Sequence, residues 1–269
     1  MRRIMFAALL TLITISLSLA QGCGGGMMVT GTPYSSGTAT NTSTATGTIQ
    51  PGVVPPFGAS SNGSGGTYPI NGTRVSANGV TCSMIVPSSY NPANPTCFVL
   101  AYSGCEGDQT FASAIKSAVG QTGTSSFIFA ILDGYVASAN DGVTVMNYIR
   151  EKYNIDNDKT YMLTESAGTP EGMKVGFDVL QSYFAAYWAN DIICAGGPAK
   201  TAAQLGFAPW GNSGPGGDFA DAETIVDNMR AAGYRLPPDA PYSGAGSSAH
   251  GSPSQYMAAL SFFPGKTRR

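Results

Sequence analysis

Charged residues are scarce in this sequence. Lysine and arginine together number 14, and aspartate and glutamate 16, among 269 residues, which gives a formal net charge of −2. A protein that binds nucleic acid needs a basic face to neutralise phosphates, and this composition argues against one. The single histidine argues equally against metal sites built from several histidines. We therefore expect no metal, no cofactor and no nucleic-acid partner.

The first residues of the chain have the sequence of segments that is typical of an export signal. A mostly apolar run from Ile4 to Ala20 follows two arginines and precedes small residues and Cys23. The run is short for a membrane span and no charged stop follows, which favours cleavage over a retained transmembrane helix. The ending Ala20-Gln21-Gly22-Cys23 resembles a bacterial lipobox. This resemblance implies a signal peptide over residues 1–22, acylation of Cys23 and a lipid anchor on an exported protein; plain secretion is the alternative.

The next segment is poor in both charge and apolar side chains. Thr, Ser, Gly, Asn, Ala and Pro make up almost all of residues 29–66, and no charged side chain occurs from Ile4 to Thr73. Such a composition buries too little apolar surface to offset the entropy of ordering. We predict a flexible tether over residues 23–66 and one domain over residues 67–269, where 43% apolar composition overall leaves ample material for a core.

Strand and helix signals alternate through this domain. The β-prone runs are residues 80–86, 97–102, 126–132, 159–164, 192–194 and 205–210, and helical spacing recurs over residues 143–153, 173–184, 225–229 and 256–263. The first two runs flank a Pro/Asn-rich segment, which suggests a hairpin. The alternation predicts the α/β class, with a mostly parallel sheet covered by helices on both faces. Active sites in such sheets lie beyond the carboxyl ends of the strands.

Ser166 lies where a strand runs directly into a helix. A nucleophile elbow needs this context, because the sharp turn lifts the hydroxyl above the sheet and aims a helix N-terminus at the developing oxyanion. The usual pattern is G-x-S-x-G; Gly168 fits its second glycine and Thr164 replaces the first. A serine at a helix start also serves as an N-cap, and this is the alternative.

The wider sequence resembles a known family. The stretch from Tyr153 to Met173, with Glu165-Ser166-Ala167-Gly168 at its centre, is similar to the nucleophile segment of extracellular polyhydroxybutyrate depolymerases and feruloyl esterases. Upstream, Ile85 to Tyr90 and the strand that ends in Tyr102-Ser103-Gly104-Cys105 resemble an early strand and the oxyanion loop of the same family, which usually has His-Gly at the loop. The resemblance implies an α/β-hydrolase fold and a serine esterase. The domain length leaves room for a small lid or none.

An ester hydrolase needs an imidazole base and a carboxylate that orients it. His250 is the one candidate base and lies before the final helix, where α/β-hydrolases place theirs; an exposed loop histidine is the alternative. Asp218 and Asp221 both follow the strand expected at residues 205–210. Asp221 directly precedes the expected helix and suits an N-cap, so Asp218 is the preferred acid and Asp221 the alternative. Asp239 lies beyond that helix and is less suited.

Two backbone N–H groups should stabilise the oxyanion. Ala167, next after the nucleophile, supplies one of them. The loop after Tyr102 should supply the second, from Cys105 or Glu106. Glu106 and Glu165 could instead form an acid pair for glycoside hydrolysis, but no substrate-stacking aromatic residues flank them.

Four cysteines remain after Cys23. In an exported protein an even count suggests two disulfides, for which three connectivities exist. Pairing Cys82 with Cys97 would join the expected hairpin, and pairing Cys105 with Cys194 would tie the oxyanion loop to a strand end.

Together these features predict a monomeric, exported esterase. It would hydrolyse small or polymeric carboxylic esters through an acyl-enzyme. It would contact the membrane through its lipid anchor only. The predicted location is the outer membrane or cell surface, with the periplasm or the external medium as the alternative. The alternative is a catalytically silent hydrolase-like module that binds an envelope partner. Thr164 and Ser103 motivate this alternative, because the family has other residues at both positions.

Overall fold

The computed structural model describes most of the predicted domain. The described residues are 49, 52–194, 196–202, 210–213, 219–236, 238, 240–241 and 251–268. The chain divides into two compact units, Met1–Thr42 and Ser43–Arg269, and the first lies outside the described residues together with the predicted signal peptide and Cys23. Asp218, Asp239 and His250 lie outside them as well. Within the described ranges, no helix is both long and apolar enough to cross a membrane.

Seven strands form one sheet in the described part of the chain. They are β1 (Ile70–Ala77), β2 (Val80–Val86), β3 (Thr96–Tyr102), β4 (Ile128–Leu132), β5 (Ile155–Glu165), β6 (Ala186–Asn190) and β7 (Trp210–Ser213). Their order across the sheet is β1-β2-β4-β3-β5-β6-β7. β2 pairs antiparallel with both of its neighbours, and every other pairing is parallel. The prediction of a mostly parallel sheet is confirmed.

Helices cover both faces of this sheet. They are α1 (Asp108–Thr122), α2 (Ala139–Lys152), α3 (Thr169–Met173), α4 (Phe219–Ala231) and α5 (Pro253–Phe262). α1 and α5 pack on one face, where Phe111 and Leu260 belong to the same buried cluster. α2, α3 and α4 contribute to the cluster on the other face, which contains Ile149 and Ile225. Central strands buried on both sides read as continuous apolar runs, and β4 is buried at all five of its positions.

The predicted hairpin between residues 80–86 and 97–102 is wrong. β4 lies between β2 and β3, so these two strands do not pair. β2 instead forms a hairpin with β1 through Asn78 and Gly79, whose φ angles of 50° and 92° are both positive. Two consecutive residues with positive φ are typical of the tight turn that joins antiparallel strands, and Asn-Gly adopts it readily. The Pro/Asn-rich segment after β2 is therefore a crossover connection.

The strand expected at residues 192–194 is also wrong, because the strand in this region is β6 and ends at Asn190. Residues 205–209 of the strand expected at 205–210 lie outside the described part of the chain, and its last residue, Trp210, begins β7.

No disulfide joins any two of the four described cysteines. Neighbouring strands lie about 4.8 Å apart, so β2 and β3 are separated by about 9.6 Å, beyond the reach of a disulfide. The pairing of Cys82 with Cys97 is therefore wrong. Cys105 and Cys194 are not joined either. Burial raises the pKa of the Cys97 and Cys194 thiols to about 11, which disfavours their thiolates at neutral pH.

Part of the predicted flexible tether is packed against the domain. We call residues 52–66 the N-terminal strap. The N–H of Ser61 donates to the carbonyl of Ile155 at 2.8 Å, and its hydroxyl donates to the carbonyl of Tyr153 at 2.8 Å. A Cβ on Gly63 would lie 2.3 Å from the carbonyl oxygen of Arg150, so only glycine fits there. Backbone hydrogen bonds and close glycine contacts hold the strap, and composition does not reveal either.

Arg268 fastens the strap to the end of the domain. Its side chain is completely buried and donates to the carbonyls of Pro55 and Ser182, both at 2.8 Å. It also pairs with the carboxylate of Asp158 at 3.1 Å and lies over the ring of Phe57. This cluster lies at the amino end of β5, whereas Ser166 follows its carboxyl end.

Candidate active site

Ser166 occupies a sharp turn at the carboxyl end of β5. Glu165 is still extended, with φ of −136° and ψ of 129°, and Ser166 then has a φ of +43°. A short 3-10 turn over Ser166–Gly168 leads into α3. A positive φ is strained for any residue with a side chain, and in a nucleophile elbow this strain holds the serine hydroxyl at the top of the sheet. The backbone therefore has the geometry of an elbow.

Two glycines let the helix approach the sheet at this turn. A Cβ on Gly168 would lie 2.3 Å from the carbonyl oxygen of Ser103, which is too close for any side chain. A Cβ on Gly172 would lie 2.3 Å from Cγ2 of Thr164. Thr164 replaces the first glycine of the usual motif, and the structure accommodates its buried side chain because the facing position on α3 is glycine.

The loop after β3 lies directly against the nucleophile. A Cβ on Gly104 would lie 3.1 Å from Cβ of Ser166. The N–H of Gly104 donates to Oε1 of Glu106 at 3.0 Å, and the exposed Cys105 lies between these two residues. On the other side of the serine, the N–H of Ala167 belongs to the first turn of a helix, where backbone donors have no acceptor within the helix. The loop after β3 and the N–H of Ala167, from which the sequence predicts the oxyanion donors, therefore both lie next to Ser166.

Ser103, the first residue after β3, joins two loops at this edge. It is fully buried, and its Oγ accepts the N–H of Gly134 at 3.2 Å. Gly134 follows β4 and approaches so closely that a Cβ there would lie 2.5 Å from Cα of Gly168. The next two residues, Tyr135 and Val136, are 69% and 75% exposed. The loop after β4 thus carries exposed apolar side chains beside the elbow.

Glu165 is a buried acid directly before the nucleophile. Its side chain is 1% exposed, and neither carboxyl oxygen has a hydrogen-bond partner among the described residues. Burial, and after it the nearby carboxylates of Asp191 and Glu106, raise the pKa of Glu165 well above its ordinary range. The buried environment therefore favours the neutral, protonated form of this carboxyl group. Since so deeply buried an acid is closed to a sugar substrate, the geometry does not support the glycosidase alternative for Glu106 and Glu165.

Asp191 is a second buried acid at this edge, and sequence reasoning missed it. It follows β6 directly, has a φ of +47° and is 0% exposed. Its carboxylate accepts the N–H of Gly251 at 2.7 Å and the side-chain amide of Gln255 at 2.9 Å. The strand expected at residues 192–194 placed Asp191 before a strand. With β6 ending at Asn190, it lies at a carboxyl end, where active-site residues of parallel sheets occur.

Two of the remaining predicted residues are not covered by the described part of the chain. His250 and Asp218 lie outside the described residues, although Gly251 and Phe219, which follow them in the chain, are described. Asp221 is half-buried and lies in the first turn of α4, whose first residue is Phe219. The expectation that Asp221 precedes the helix as its N-cap is therefore wrong, because the helix begins two residues earlier.

The sequence matches no protein-family model and no curated protein. A mutant of the feruloyl esterase module from Clostridium thermocellum, complexed with sinapinate, is 10% identical, with a TM-score of 0.51 over 80% of this chain and 95% of that chain. A poly(3-hydroxybutyrate) depolymerase from Bordetella parapertussis is 14% identical, with a TM-score of 0.49 over 74% and 92%. A thermostable esterase is 14% identical, with a TM-score of 0.46 over 62% of this chain. The chain spans about half, 53%, of the length of that esterase. The order of the strands and the likeness to the feruloyl esterase module confirm the predicted α/β-hydrolase fold.

Proposed function

We propose that the protein is a serine esterase that hydrolyses carboxylic esters through an acyl-enzyme. The observation that carries this proposal is the strained φ of +43° at Ser166, in a strand-to-helix turn with the loop after β3 directly beside it. A serine that only capped a helix would have an extended backbone, as Ser138 has at the start of α2 with a φ of −86° and a ψ of 171°. The positive φ has no capping role, and nucleophile elbows require it.

In the proposed reaction, Oγ of Ser166 attacks the ester carbonyl carbon while His250 accepts the serine proton. The tetrahedral oxyanion is stabilised by the N–H of Ala167 and by a donor from the loop after β3, with Cys105 as the first candidate; each donor contributes about 3 kcal/mol in favourable cases. Collapse of this intermediate expels the alcohol, which takes the proton from His250. Water, activated by the same imidazole, then hydrolyses the acyl-enzyme and frees the serine.

Asp218 is the proposed carboxylate that orients His250, with Asp221 as the alternative. In the chain, Asp218 lies between β7 and α4, and Asp221 lies in the first turn of α4; this is the interval where α/β-hydrolases carry this acid. Substitution of each aspartate by asparagine identifies the partner, because loss of the orienting carboxylate in a serine triad lowers kcat by about 10⁴-fold.

We also propose that the protein is exported and anchored by lipid at Cys23 as a monomer. The lipobox-like sequence before Cys23 supports this. Mass spectrometry of the mature N-terminus would show diacylglycerol on the cysteine if the proposal is right and an unmodified N-terminus if the protein is simply secreted.

Covalent labelling with a fluorophosphonate probe tests the proposed function. We expect the folded wild-type protein to be labelled at Ser166 and to hydrolyse a small aryl ester, and the Ser166→Ala variant to lose both properties. Ser138→Ala is the matched control, since it removes a serine at the start of another helix and should reduce stability only. If the folded wild-type protein is neither labelled nor active on esters, the protein is instead a hydrolase-like binding module.

A further inference from the structure

Ser166 and Asp191 leave neighbouring strands at the same level of the sheet. β5 and β6 are parallel, and Glu165 is paired in register with Asn190, so Ser166 and Asp191 are the next residue on each strand. Both have the same unusual backbone conformation, with φ of +43° and +47°. Adjacent strands are about 4.8 Å apart, which places the two residues side by side at the edge that carries the elbow.

A further contact links the segments that follow these two residues. Oγ1 of Thr169 donates to the carbonyl of Ser166 at 2.7 Å and accepts the N–H of Ile193 at 3.2 Å. Thr169 is fully buried. The elbow and the chain after β6 are therefore connected by strand pairing before the turn and by a side-chain bridge after it.

Asp191 also holds the start of α5. One carboxylate oxygen accepts the N–H of Gly251 at 2.7 Å, and the other accepts the side-chain amide of Gln255 at 2.9 Å. The carbonyl oxygen of the Gln255 side chain accepts the N–H of Ser252 at 2.9 Å. These bonds hold Gly251, Ser252 and Gln255, which follow His250 in the chain, at the end of β6. β6 is the strand next to β5, which leads into Ser166.

We propose that Asp191 is a positioning residue for the proposed reaction, because it fixes the start of α5, from Gly251 to Gln255, which directly follows His250 in the chain. This inference rests on the proposed function and adds to it a carboxylate besides the one that orients the imidazole. General-base catalysis requires the imidazole within hydrogen-bond reach of the serine hydroxyl, and a displacement of about 1 Å can cost on the order of 100-fold in rate. Asp191 acts through Gly251 and Gln255 and does not need to touch the substrate.

The test is Asp191→Asn, assayed for kcat and KM on an aryl ester and for the rate of fluorophosphonate labelling. Asparagine offers one acceptor oxygen where aspartate has two, so either Gly251 or Gln255 loses its acceptor. We expect kcat and the labelling rate to fall together by about tenfold to 100-fold, with KM changed by less than about threefold. Unfolding would instead reduce the fraction of protein that is labelled at all.

A reciprocal exchange separates position from charge. In Asp191→Asn combined with Gln255→Glu, the asparagine amide can donate to the new carboxylate, so the link is rebuilt with donor and acceptor reversed. We expect the double variant to recover at least about threefold of the lost kcat. No recovery would mean that the charge at position 191 matters rather than the position of the segment, and would overturn the proposal. If the double variant does not fold, Gln255→Met tests the same link from the other side and should lower kcat severalfold, and an unchanged kcat there would also overturn the proposal.

Asp158→Asn is the control for loss of a buried aspartate. Asp158 lies in the Arg268 cluster at the other end of β5, so this variant should lower stability and leave kcat unchanged. The two proposals fail differently. An unlabelled, inactive wild-type protein contradicts the proposed function, whereas an active wild-type protein with unchanged kcat in Asp191→Asn contradicts only the positioning role.

Discussion

Thr164 fills the space that Gly172 leaves empty. A Cβ on Gly172 would lie 2.3 Å from Cγ2 of Thr164, far inside van der Waals contact. In the usual G-x-S-x-G elbow, the small residue before the serine lies on the strand, whereas here it lies on the facing helix. The close approach of strand and helix is thus retained, because the larger side chain is on the strand and the glycine is on the helix. Thr164 is therefore compatible with the geometry of an elbow.

The first prediction concerns this pair. Gly172→Ala should destabilise the protein by about 1–3 kcal/mol, because the added methyl group forces Thr164 or α3 to move. Combination with Thr164→Ala removes the opposing methyl group and should recover most of this loss. Urea unfolding of the single and double variants measures the coupling. Gly120→Ala is the control, since a Cβ there meets nothing within 4 Å and should not destabilise α1. Purely additive effects would contradict the proposed contact.

The second prediction concerns the buried acid Glu165. Its folded pKa is raised well above the ordinary 4.5, so the unfolded chain ionises first as pH rises and stability is lost above pH 4.5, up to the folded pKa. Glu165→Gln removes this loss. The thermal midpoint of the variant relative to wild type should therefore rise as the pH increases above 4.5 and should level off once the pH exceeds the folded pKa of Glu165. Glu151→Gln is the matched control, because it makes the same change at an exposed position. A flat difference over this range would show that Glu165 is ionised in the folded protein.

A third prediction concerns Asp108, the first residue of α1. Burial alone would raise its pKa, but hydrogen bonds from Arg74 and from Ser83, the latter at 2.6 Å, lower it below the ordinary 3.8. The stability that these bonds contribute is present above pH 3.8 and is lost as the pH falls through the folded pKa. Because half of Arg74 is exposed, water screens the ion pair, and the buried Ser83 bond matters more.

We expect Asp108→Asn to destabilise the protein by about 1–3 kcal/mol at pH 7 and by clearly less near pH 2.5. Thermal unfolding at both pH values measures this. Asp227→Asn, which removes a surface partner of Arg230, is the control and should have almost no effect. An equal loss at both pH values would show that packing, not the charge of Asp108, is responsible.

The fourth prediction concerns the N-terminal strap. Arg268→Met removes the donors to Pro55 and leaves Asp158 without this buried cation, which should cost about 3–5 kcal/mol. Limited proteolysis should then cut within the strap at concentrations that leave the wild-type protein intact. Specific activity of the remaining folded protein should be unchanged, because the strap lies at the amino end of β5. Arg230→Met, at the surface, should leave the strap protected.

The parts that sequence predicted correctly have local signals. β4 was recognisable because a strand buried on both faces is apolar at every position. The strand-to-helix turn at Ser166 was recognisable because a strand run, small residues and a helical pattern follow one another. The placement of β4 between β2 and β3 has no such signal, since it depends on contacts between segments distant in the chain. The same limitation produced the wrong hairpin and, with it, the wrong pairing of Cys82 with Cys97.

The missed parts of the site depend on exact strand ends and on burial. Asp191 became a candidate only when β6 was seen to end at Asn190, and its partner Gly251 lies 60 residues further along the chain. The raised pKa of Glu165 follows from burial beside two other carboxylates that come from different strands. The strap was missed because its close contacts need glycine, a residue that composition assigns to flexible segments.

The exposed pair Tyr135–Val136 has a practical consequence for protein engineering. The two side chains are exposed and lie outside the core, and the preceding residue, Gly134, packs against Gly168 of the elbow. The residues that shape the turn are locked by glycine contacts and strand pairing, and they tolerate little change. Libraries aimed at new ester preferences should therefore randomise positions 135 and 136 first, where sequence can vary at small cost to stability.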